Sequence, residues 1–230
     1  MTVYYEDRDC IVCHKERGIL SEPKAGSTEE SMLSRLTSYF ASQGEHITPY
    51  PVHRLDRPTG GVMVFAKNPK SADALSASAA GGGMKKEYLA VGEGVPAQQA
   101  AKLHDLLFFD RQRDKTFVVD RMRRGVKEAS LSYELVATRA PDESCPVALS
   151  LLRVRLESGR THQIRAQFAS RRLPLYGDAR YGAKTRGELG LFAATLSFPH
   201  PKTGQALSFS ATPPAALPFS LFGGEPIVQK

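Results

Sequence analysis

The sequence lacks the features that identify several large classes of protein. It has only three cysteines, Cys10, Cys13 and Cys145, among 230 residues. So small and odd a number argues against a disulfide scaffold and fits a reducing compartment. No apolar run approaches the roughly 18 residues that predict a membrane span, and the polar opening M-T-V-Y-Y-E-D-R-D is not the pattern of a signal peptide. We therefore expect a soluble, cytoplasmic protein with no membrane partner.

Motifs for cofactors and activated nucleophiles are missing as well. The sequence has no P-loop and no strand followed by G-x-G-x-x-G, so it carries no signature of a nucleotide cofactor. It has no G-x-S-x-G elbow and no Cys–His signature. The strongest metal candidate is C-I-V-C at 10–13, but residues three apart on a strand point to opposite faces. Buried structural cysteines are favoured over zinc, and the chemistry is expected to need side chains alone.

The charge of the chain favours a polyanionic partner. There are 31 Lys and Arg against 24 Asp and Glu, a net charge of +7, and the isoelectric point is near 9.4. Nucleic acid is the commonest partner of such a surface, although many soluble enzymes are equally basic. Candidate phosphate contacts include Lys85-Lys86 and R-M-R-R at 121–124, but each of these alone is equally consistent with ordinary solvated surface.

The hydrophobic pattern predicts an α+β fold with a mixed, mostly antiparallel central sheet and flanking helices. Two short strands are expected around an acidic turn near the start. A helix is expected after Ser27 and Glu30, which form the pattern of a capping box, and another after Asn68 as N-cap. We expect one domain over residues 1–230, which could contain two subdomains sharing the sheet.

The segment H-R-L-D-R-P-T-G-G-V-M-V-F-A-K, residues 53–67, places Asp56 between Arg54 and Arg57, directly before an apolar strand. Opposite charges nearby favour the ionised form of a carboxylate. Such a group can act as a nucleophile, as a general base, or as one half of a surface ion pair. For an isolated R-L-D the ion pair is the simplest interpretation. The two glycines, Gly60-Gly61, are expected to let the backbone turn tightly.

Two further segments add candidates for the same site. S-G-R-T-H-Q-I-R, residues 158–165, puts two arginines, a histidine and an amide on a turn that enters a helix. Thr161 is expected to cap that helix, and Ile164 and Phe168 to face the core. K-K-E-Y-L-A-V places Tyr88 on a core-like strand, where packing is the plainer interpretation and a catalytic role the alternative.

Together these segments, followed by Y-G-D-A-R-Y-G, closely resemble the RluA-type pseudouridine synthase family. The opening Y-E-D-R-D-C-I-V-C-H-K and the closing F-P-H-P-K-T-G resemble that family's terminal hairpins, so the likeness covers roughly residues 4 to 214. It implies the pseudouridine synthase fold, with an active-site cleft across the sheet. We expect no N-terminal S4 domain before it. It also implies isomerisation of uridine in RNA to pseudouridine, without cofactor or metal.

The resemblance implies a role for each matching residue. Asp56 matches the catalytic aspartate, Tyr88 the tyrosine that stacks on the base, and Arg165 the arginine that pairs with the aspartate. Leu55 and Ile164 are expected to pack the site, and Arg54 to help fill the gap left by a flipped base. The residues expected to contact RNA are His53, Arg54, Arg57, Lys85, Lys86, Arg121, Arg123, Arg124, Arg160, Thr161, His162 and Gln163.

Other functions stay open at this point. An RNA-binding or RNA-folding factor could keep the fold without depending on turnover, although such a protein has no need of Asp56, Tyr88 and Arg165 together. A nucleoside hydrolase or glycosidase would usually carry a second carboxylate for acid–base work, and no clear candidate stands out. The sequence leaves the choice between ribosomal and transfer RNA open. We expect a monomer.

Overall fold

A computed structural model describes residues 1–23, 26, 29–143 and 145–223. Three α-helices lie among these residues: α1 (Met32–Ser42), α2 (Pro69–Ala80) and α3 (Gln163–Ala169). The strands are β1 (Val3–Glu6), β2 (Cys10–Lys15), β3 (Tyr50–Pro51), β4 (Gly60–Ala66), β5 (Lys85–Glu93), β6 (Ala100–Asp110), β7 (Lys115–Val119), β8 (Val126–Arg139), β9 (Leu149–Leu156), β10 (Leu191–Pro199) and β11 (Ala206–Ser210).

The fold class is α+β with a mixed, mostly antiparallel sheet, as the sequence pattern predicts. The chain forms two compact units. The first contains residues 1–86 and 193–211, and the second contains residues 87–192 and the described residues from 212 onward. No helix within the described part of the chain has the length and apolar character needed to cross a membrane.

In the first unit the strand order is β1-β2-β4-β10, with β11 paired to β10 and β3 to β4. The pairs β1–β2, β2–β4 and β10–β11 are antiparallel. Every residue of β4 is buried, which explains its unbroken apolar run: a strand covered on both faces has no polar side. This central strand begins four residues after Asp56, so it anchors the candidate loop to the core.

In the second unit the strand order is β5-β9-β8-β6-β7. The long strands β6 and β8 are antiparallel neighbours, and β7 and β9 flank them. Helix α3 packs on β6 and β7. The predicted core positions on this helix are confirmed, since Ile164 is 4% exposed and Phe168 is fully buried.

The first residues of α2 and α1 can be compared with the helix starts predicted from the sequence. Asn68 caps α2 as predicted, with its side chain accepting a hydrogen bond from the Ser71 N–H and Pro69 in the first turn. Helix α1 begins later than the pattern suggested. Its N-cap is Ser31, which forms a capping box with Ser34. Ser27, the predicted cap, lies outside the described residues.

Candidate active site

The loop that carries Asp56 is held by its neighbours on both sides. Leu55 is buried, and its backbone N–H and carbonyl both bond to the hydroxyl of Ser21, at 3.0 and 2.9 Å. On the other side, the N–H of Thr59 donates to the carbonyl of Asp56 at 2.9 Å. Asp56 itself is half-buried. Its backbone is therefore fixed to the core while its side chain keeps access to solvent.

A buried lysine supports the same loop. Lys15, at the end of β2, is fully buried. Its ammonium donates to the carbonyls of Thr59 (2.7 Å), Arg57 (3.1 Å), Glu16 (3.2 Å) and Asp56 (3.3 Å). Burial lowers the pKa of Lys15 to about 8, and the charge of Asp56 opposes that shift. Three of the four acceptors belong to the loop, so one ammonium group fixes the backbone of residues 56–59.

Sequence reasoning missed Lys15. The available signal was its alternation with Ile11 and Cys13, because these three positions lie on one face of a strand that is apolar apart from His14. A lysine in that register must bury its charge and therefore needs several acceptors.

The basic residues around Asp56 differ in what they contact. His53 accepts a hydrogen bond from the backbone of Val64 at 3.1 Å. Burial and the charge of Lys86 lower the pKa of His53 to about 3, so it is uncharged at neutral pH. Arg57 is exposed, donates to the Gly18 carbonyl and pairs with Glu29 at 3.2 Å, and Arg54 is exposed. Their predicted RNA contacts stay predictions, and any contact by His53 would be that of a neutral ring.

The pair Gly60-Gly61 has a different purpose from the predicted tight turn. Both glycines belong to β4. Gly61 has a φ of 130°, and a Cβ atom built on it would lie 2.1 Å from the carbonyl oxygen of Ala193 on β10. The glycine is required because two backbones approach closely.

In the second unit, Tyr88 lies on β5 and is 6% exposed, and Arg165 lies on α3 and is also 6% exposed. Arg165 makes a bidentate ion pair with Asp178: Nε donates to Oδ2 at 2.7 Å and Nη2 to Oδ1 at 2.8 Å. Its guanidinium carbon also lies 5.0 Å from the centre of the Tyr181 ring. Asp178 and Tyr181 both belong to Y-G-D-A-R-Y-G, a segment that sequence reasoning matched to the family without assigning these residues a role.

The turn before α3 corrects one prediction. The N-cap is His162, which has a left-handed backbone with φ 52°, so Thr161 is not the cap. The Thr161 carbonyl instead accepts from the hydroxyl of Thr116 at 2.7 Å. The ring nitrogen Nδ1 of His162 lies 3.1 Å from the hydroxyl of Tyr181. A left-handed N-cap has no local sequence signature, which is why the pattern did not reveal it.

The polar residues beside this turn also stabilise the fold. Gln163 is 3% exposed. Its oxygen accepts from the Ser158 hydroxyl and the Arg160 N–H, and its nitrogen donates to the Ser130 carbonyl. Arg160 is exposed and donates from Nε to the Glu128 carbonyl at 3.0 Å. The RNA contacts predicted for Arg160, Thr161, His162 and Gln163 stay predictions.

The remaining basic candidates are mostly on the surface. Lys85 is exposed, whereas Lys86 is half-buried and burial lowers its pKa. Arg121, Arg123 and Arg124 are exposed in the connection between β7 and β8. The guanidinium of Arg123 lies 5.2 Å from the centre of the Phe108 ring, an aromatic contact that orders one of the three.

The cysteines are buried with free thiols, as predicted, and Cys10 has ionisable neighbours. Donor atoms of Asp7, Cys10 and His200 all lie within 4.8 Å of one another. His200 Nε2 bonds to Asp7 at 2.6 Å, and Nδ1 accepts two backbone N–H groups. Burial raises the pKa of Cys10 to about 12. The thiol is therefore protonated, and both nitrogens of the histidine are in hydrogen bonds. We interpret these residues as a structural cluster that joins β2 to the end of β10.

Comparisons with known proteins identify the class. Residues 9–170 match the RNA pseudouridylate synthase family, and the chain belongs to this family of isomerases. A ribosomal large subunit pseudouridine synthase D from Vibrio cholerae is 32% identical over 93% of this chain and 68% of its own length. The uncharacterised RNA pseudouridine synthase YjbO of Bacillus subtilis is 31% identical over 93% of this chain and 73% of its own.

Solved structures support the same fold. Human RNA pseudouridylate synthase domain containing 1 superposes with a TM-score of 0.75 at 18% identity, covering 95% of this chain and 85% of the other. Human RNA pseudouridylate synthase domain containing 4 superposes with a TM-score of 0.72, also at 18% identity, covering 93% of this chain and 88% of the other. At this identity the likeness establishes the architecture alone.

Proposed function

We propose that this protein converts specific uridines in ribosomal or transfer RNA to pseudouridine and that Asp56 is its catalytic carboxylate. The observation that carries the proposal is the support of Asp56: a half-buried carboxylate on a loop fixed by Lys15 and Ser21. A catalytic group must be held within a fraction of an ångström of its working position. A surface ion pair would need no such support.

The reaction is an isomerisation in which every atom is retained except for exchange of protons. The N1–C1′ bond breaks, the base turns, and a new C5–C1′ bond forms. C5 then loses its proton and N1 gains one. Positive charge develops at C1′ when the glycosidic bond breaks, and a carboxylate near that carbon can stabilise or trap it. Asp56 would have this role.

The other proposed catalytic residues follow from the family pattern. Tyr88 would stack on the uracil ring and assist removal of the C5 proton. Arg165 would keep the catalytic carboxylate ionised and oriented, because a guanidinium makes strong charge-assisted hydrogen bonds with carboxylates. Leu55 and Ile164 are proposed to pack the active site. No cofactor or metal takes part in this proposal.

RNA binding would place the target base within reach. A stacked uridine is inaccessible to side chains, so the nucleotide must be flipped at a cost of about a few kcal/mol. Arg54 is proposed to occupy the vacated space, because a guanidinium plane can stack as well as carry charge. The exposed arginines at 121–124 would contact phosphates. The name of the Vibrio cholerae relative favours ribosomal RNA as the first substrate to test.

Tritium release from RNA labelled at uridine C5 tests the proposal. Ribosomal RNA and transfer RNA from cells lacking the protein would be incubated separately with wild type, Asp56→Asn and Asp73→Asn. Asp73 is an exposed carboxylate on α2 and provides the matched control. We expect release with wild type and Asp73→Asn but none above background with Asp56→Asn. Equal release with all three proteins would contradict the role of Asp56.

A further inference from the structure

Arg165 is held by two residues of one short turn in the second unit. The Asp178 carboxylate accepts hydrogen bonds from two of its N–H groups, at 2.7 and 2.8 Å. The centre of the Tyr181 ring lies 5.0 Å from its guanidinium carbon. The side chains of Arg165 and Asp178 are 7% and 1% exposed, so water does not compete for their hydrogen bonds. A bidentate pair constrains the plane of a guanidinium as well as its position.

We propose that Asp178 is a positioning residue that sets the orientation of Arg165 for the isomerisation. This inference rests on the proposed function. Asp178 receives hydrogen bonds from Nε and Nη2. One carboxylate thereby fixes both the position and the plane of the guanidinium.

The turn that carries Asp178 is itself fixed. The N–H of Asp178 donates to the Leu175 carbonyl, and its own carbonyl accepts from the N–H groups of Tyr181 and Ala183. Gly177 has a φ of 70°, and a Cβ atom there would lie 2.6 Å from the Glu188 carbonyl. The carboxylate is therefore presented by a backbone with little freedom to move.

Tyr181 is fixed in the same way. Its hydroxyl accepts from the N–H of Thr116 at 2.8 Å and lies 3.1 Å from Nδ1 of His162. Burial raises its pKa, and the Thr116 N–H and the charge of Arg165 lower it in part. The ring stays a neutral platform, and its face can attract the cation above it.

An ordinary stabilising ion pair is the competing explanation. Replacing a buried ion pair by apolar residues of similar volume is often neutral or stabilising, so a contribution to stability alone does not account for this one. Orientation does, because a displacement of about 1 Å at a reacting group can cost about 100-fold in rate. The two explanations predict different effects of Asp178→Asn on kcat.

The test measures kcat and KM by tritium release for wild type, Asp178→Asn and Asp105→Asn. Asp105 forms a bidentate but more exposed pair with Arg171, at 2.9 and 3.2 Å, in the same unit, and controls for the loss of a carboxylate partner. We expect Asp178→Asn to lower kcat about 10- to 100-fold with KM within about twofold. Asp105→Asn should leave both constants near wild type.

A double-mutant cycle separates positioning from general destabilisation. If Asp178 acts through Arg165, then adding Asp178→Asn to Arg165→Met should not lower kcat further. Should Asp178→Asn fail to fold, Tyr181→Leu tests whether the orientation of Arg165 matters, because it removes the ring beneath the guanidinium. We then expect Tyr181→Leu to lower kcat and Asp105→Asn to leave it near wild type.

Each outcome decides the inference. Wild-type kcat for Asp178→Asn, or independent effects of the two substitutions in the cycle, would overturn the positioning role while the proposed function stood. Equal kcat for Tyr181→Leu and Asp105→Asn would do the same. A wild-type protein that releases no tritium from either RNA pool would overturn the proposed function, and the positioning role with it.

Discussion

At the residue scale, Lys15 has the most consequential side chain outside the predicted catalytic set. Its ammonium is fully buried and contacts four backbone carbonyls. An isolated buried charge costs several kcal/mol, so the carbonyl partners must offset the cost of removing Lys15 from water. The result is a loop whose conformation depends on one side chain from a neighbouring strand.

Replacing Lys15 by methionine should therefore destabilise the protein. Methionine fills the volume but donates no hydrogen bond, and it leaves buried carbonyls without their partner. We expect the free energy of unfolding to fall by about 2 to 4 kcal/mol, measured by urea denaturation. Lys70→Met, on the exposed surface of α2, is the control and should change it by less than about 0.5 kcal/mol. A Lys15 variant as stable as the control would refute this account of the loop.

The pKa of Lys15 also predicts a pH dependence. Burial lowers it from 10.5 to about 8 in the folded protein. Between these values the unfolded chain binds more protons than the folded one, so the contribution of Lys15 to stability rises with pH and is flat below about pH 8. The stability difference between wild type and Lys15→Met should grow by about 2 kcal/mol from about pH 7 to about pH 9.5. A constant or shrinking difference would contradict the lowered pKa.

Residues that the sequence identified and those it missed differ in one respect. Asp56, Tyr88, Arg165, Lys15 and Asp178 all lie in segments that resemble the family, but the resemblance assigns roles only to the first three. Lys15 and Asp178 contribute through partners that are distant in the chain: Lys15 bonds to residues 56–59, and Asp178 to residue 165. No local spacing encodes such contacts, although a buried register for Lys15 was visible in the alternation of β2.

At the element scale, β4 is the strand on which the Asp56 loop depends. All seven of its residues are buried, and Gly61 lies where the backbone of β10 approaches. The sequence predicted the buried strand from its apolar run. The tight turn predicted for Gly60-Gly61 was the wrong explanation for the glycines. Close contact between backbones depends on the pairing of strands far apart in the chain, which a local pattern does not show.

Gly61→Ala should therefore destabilise the folded protein severely. A Cβ atom 2.1 Å from the Ala193 carbonyl oxygen cannot be accommodated without separating two strands of the core. We expect a loss of about 3 kcal/mol in the free energy of unfolding or insoluble protein. Gly204→Ala is the control: its φ is also positive, at 73°, but nothing lies within 4 Å of the added atom, so only about 1 kcal/mol of backbone strain is expected. Similar losses for both variants would show that the approach to β10 is unimportant.

The helix starts show how far local rules extend. Asn68 followed by Pro69 predicted the start of α2 correctly because the side chain and the Ser71 N–H that donates to it lie within one turn. At α3, His162 adopts a left-handed conformation that its residue type does not require. Contacts of the neighbouring Thr161 and of His162 itself with Thr116 and Tyr181 accompany that conformation, and these depend on the tertiary fold.

At the scale of the whole molecule, the sequence predicted the fold class and the family, because both are spread over most of the chain. The two short strands expected near the start of the chain, for example, appear as β1 and β2. The choice of RNA is a different problem. It depends on surface shape and on the structure of the RNA, which no short motif specifies, so the basic residues at 121–124 indicate a polyanion without naming one.

The most direct test of the account is to digest treated RNA to nucleosides and quantify uridine, pseudouridine and free uracil by chromatography. Wild type should convert uridine to pseudouridine one for one, with no free uracil, and Asp56→Asn should form none. Free uracil would indicate a hydrolase. Pseudouridine formed equally by wild type and Asp56→Asn would contradict the central claim that the Asp56 carboxylate, on the loop whose backbone Lys15 holds, performs the chemistry.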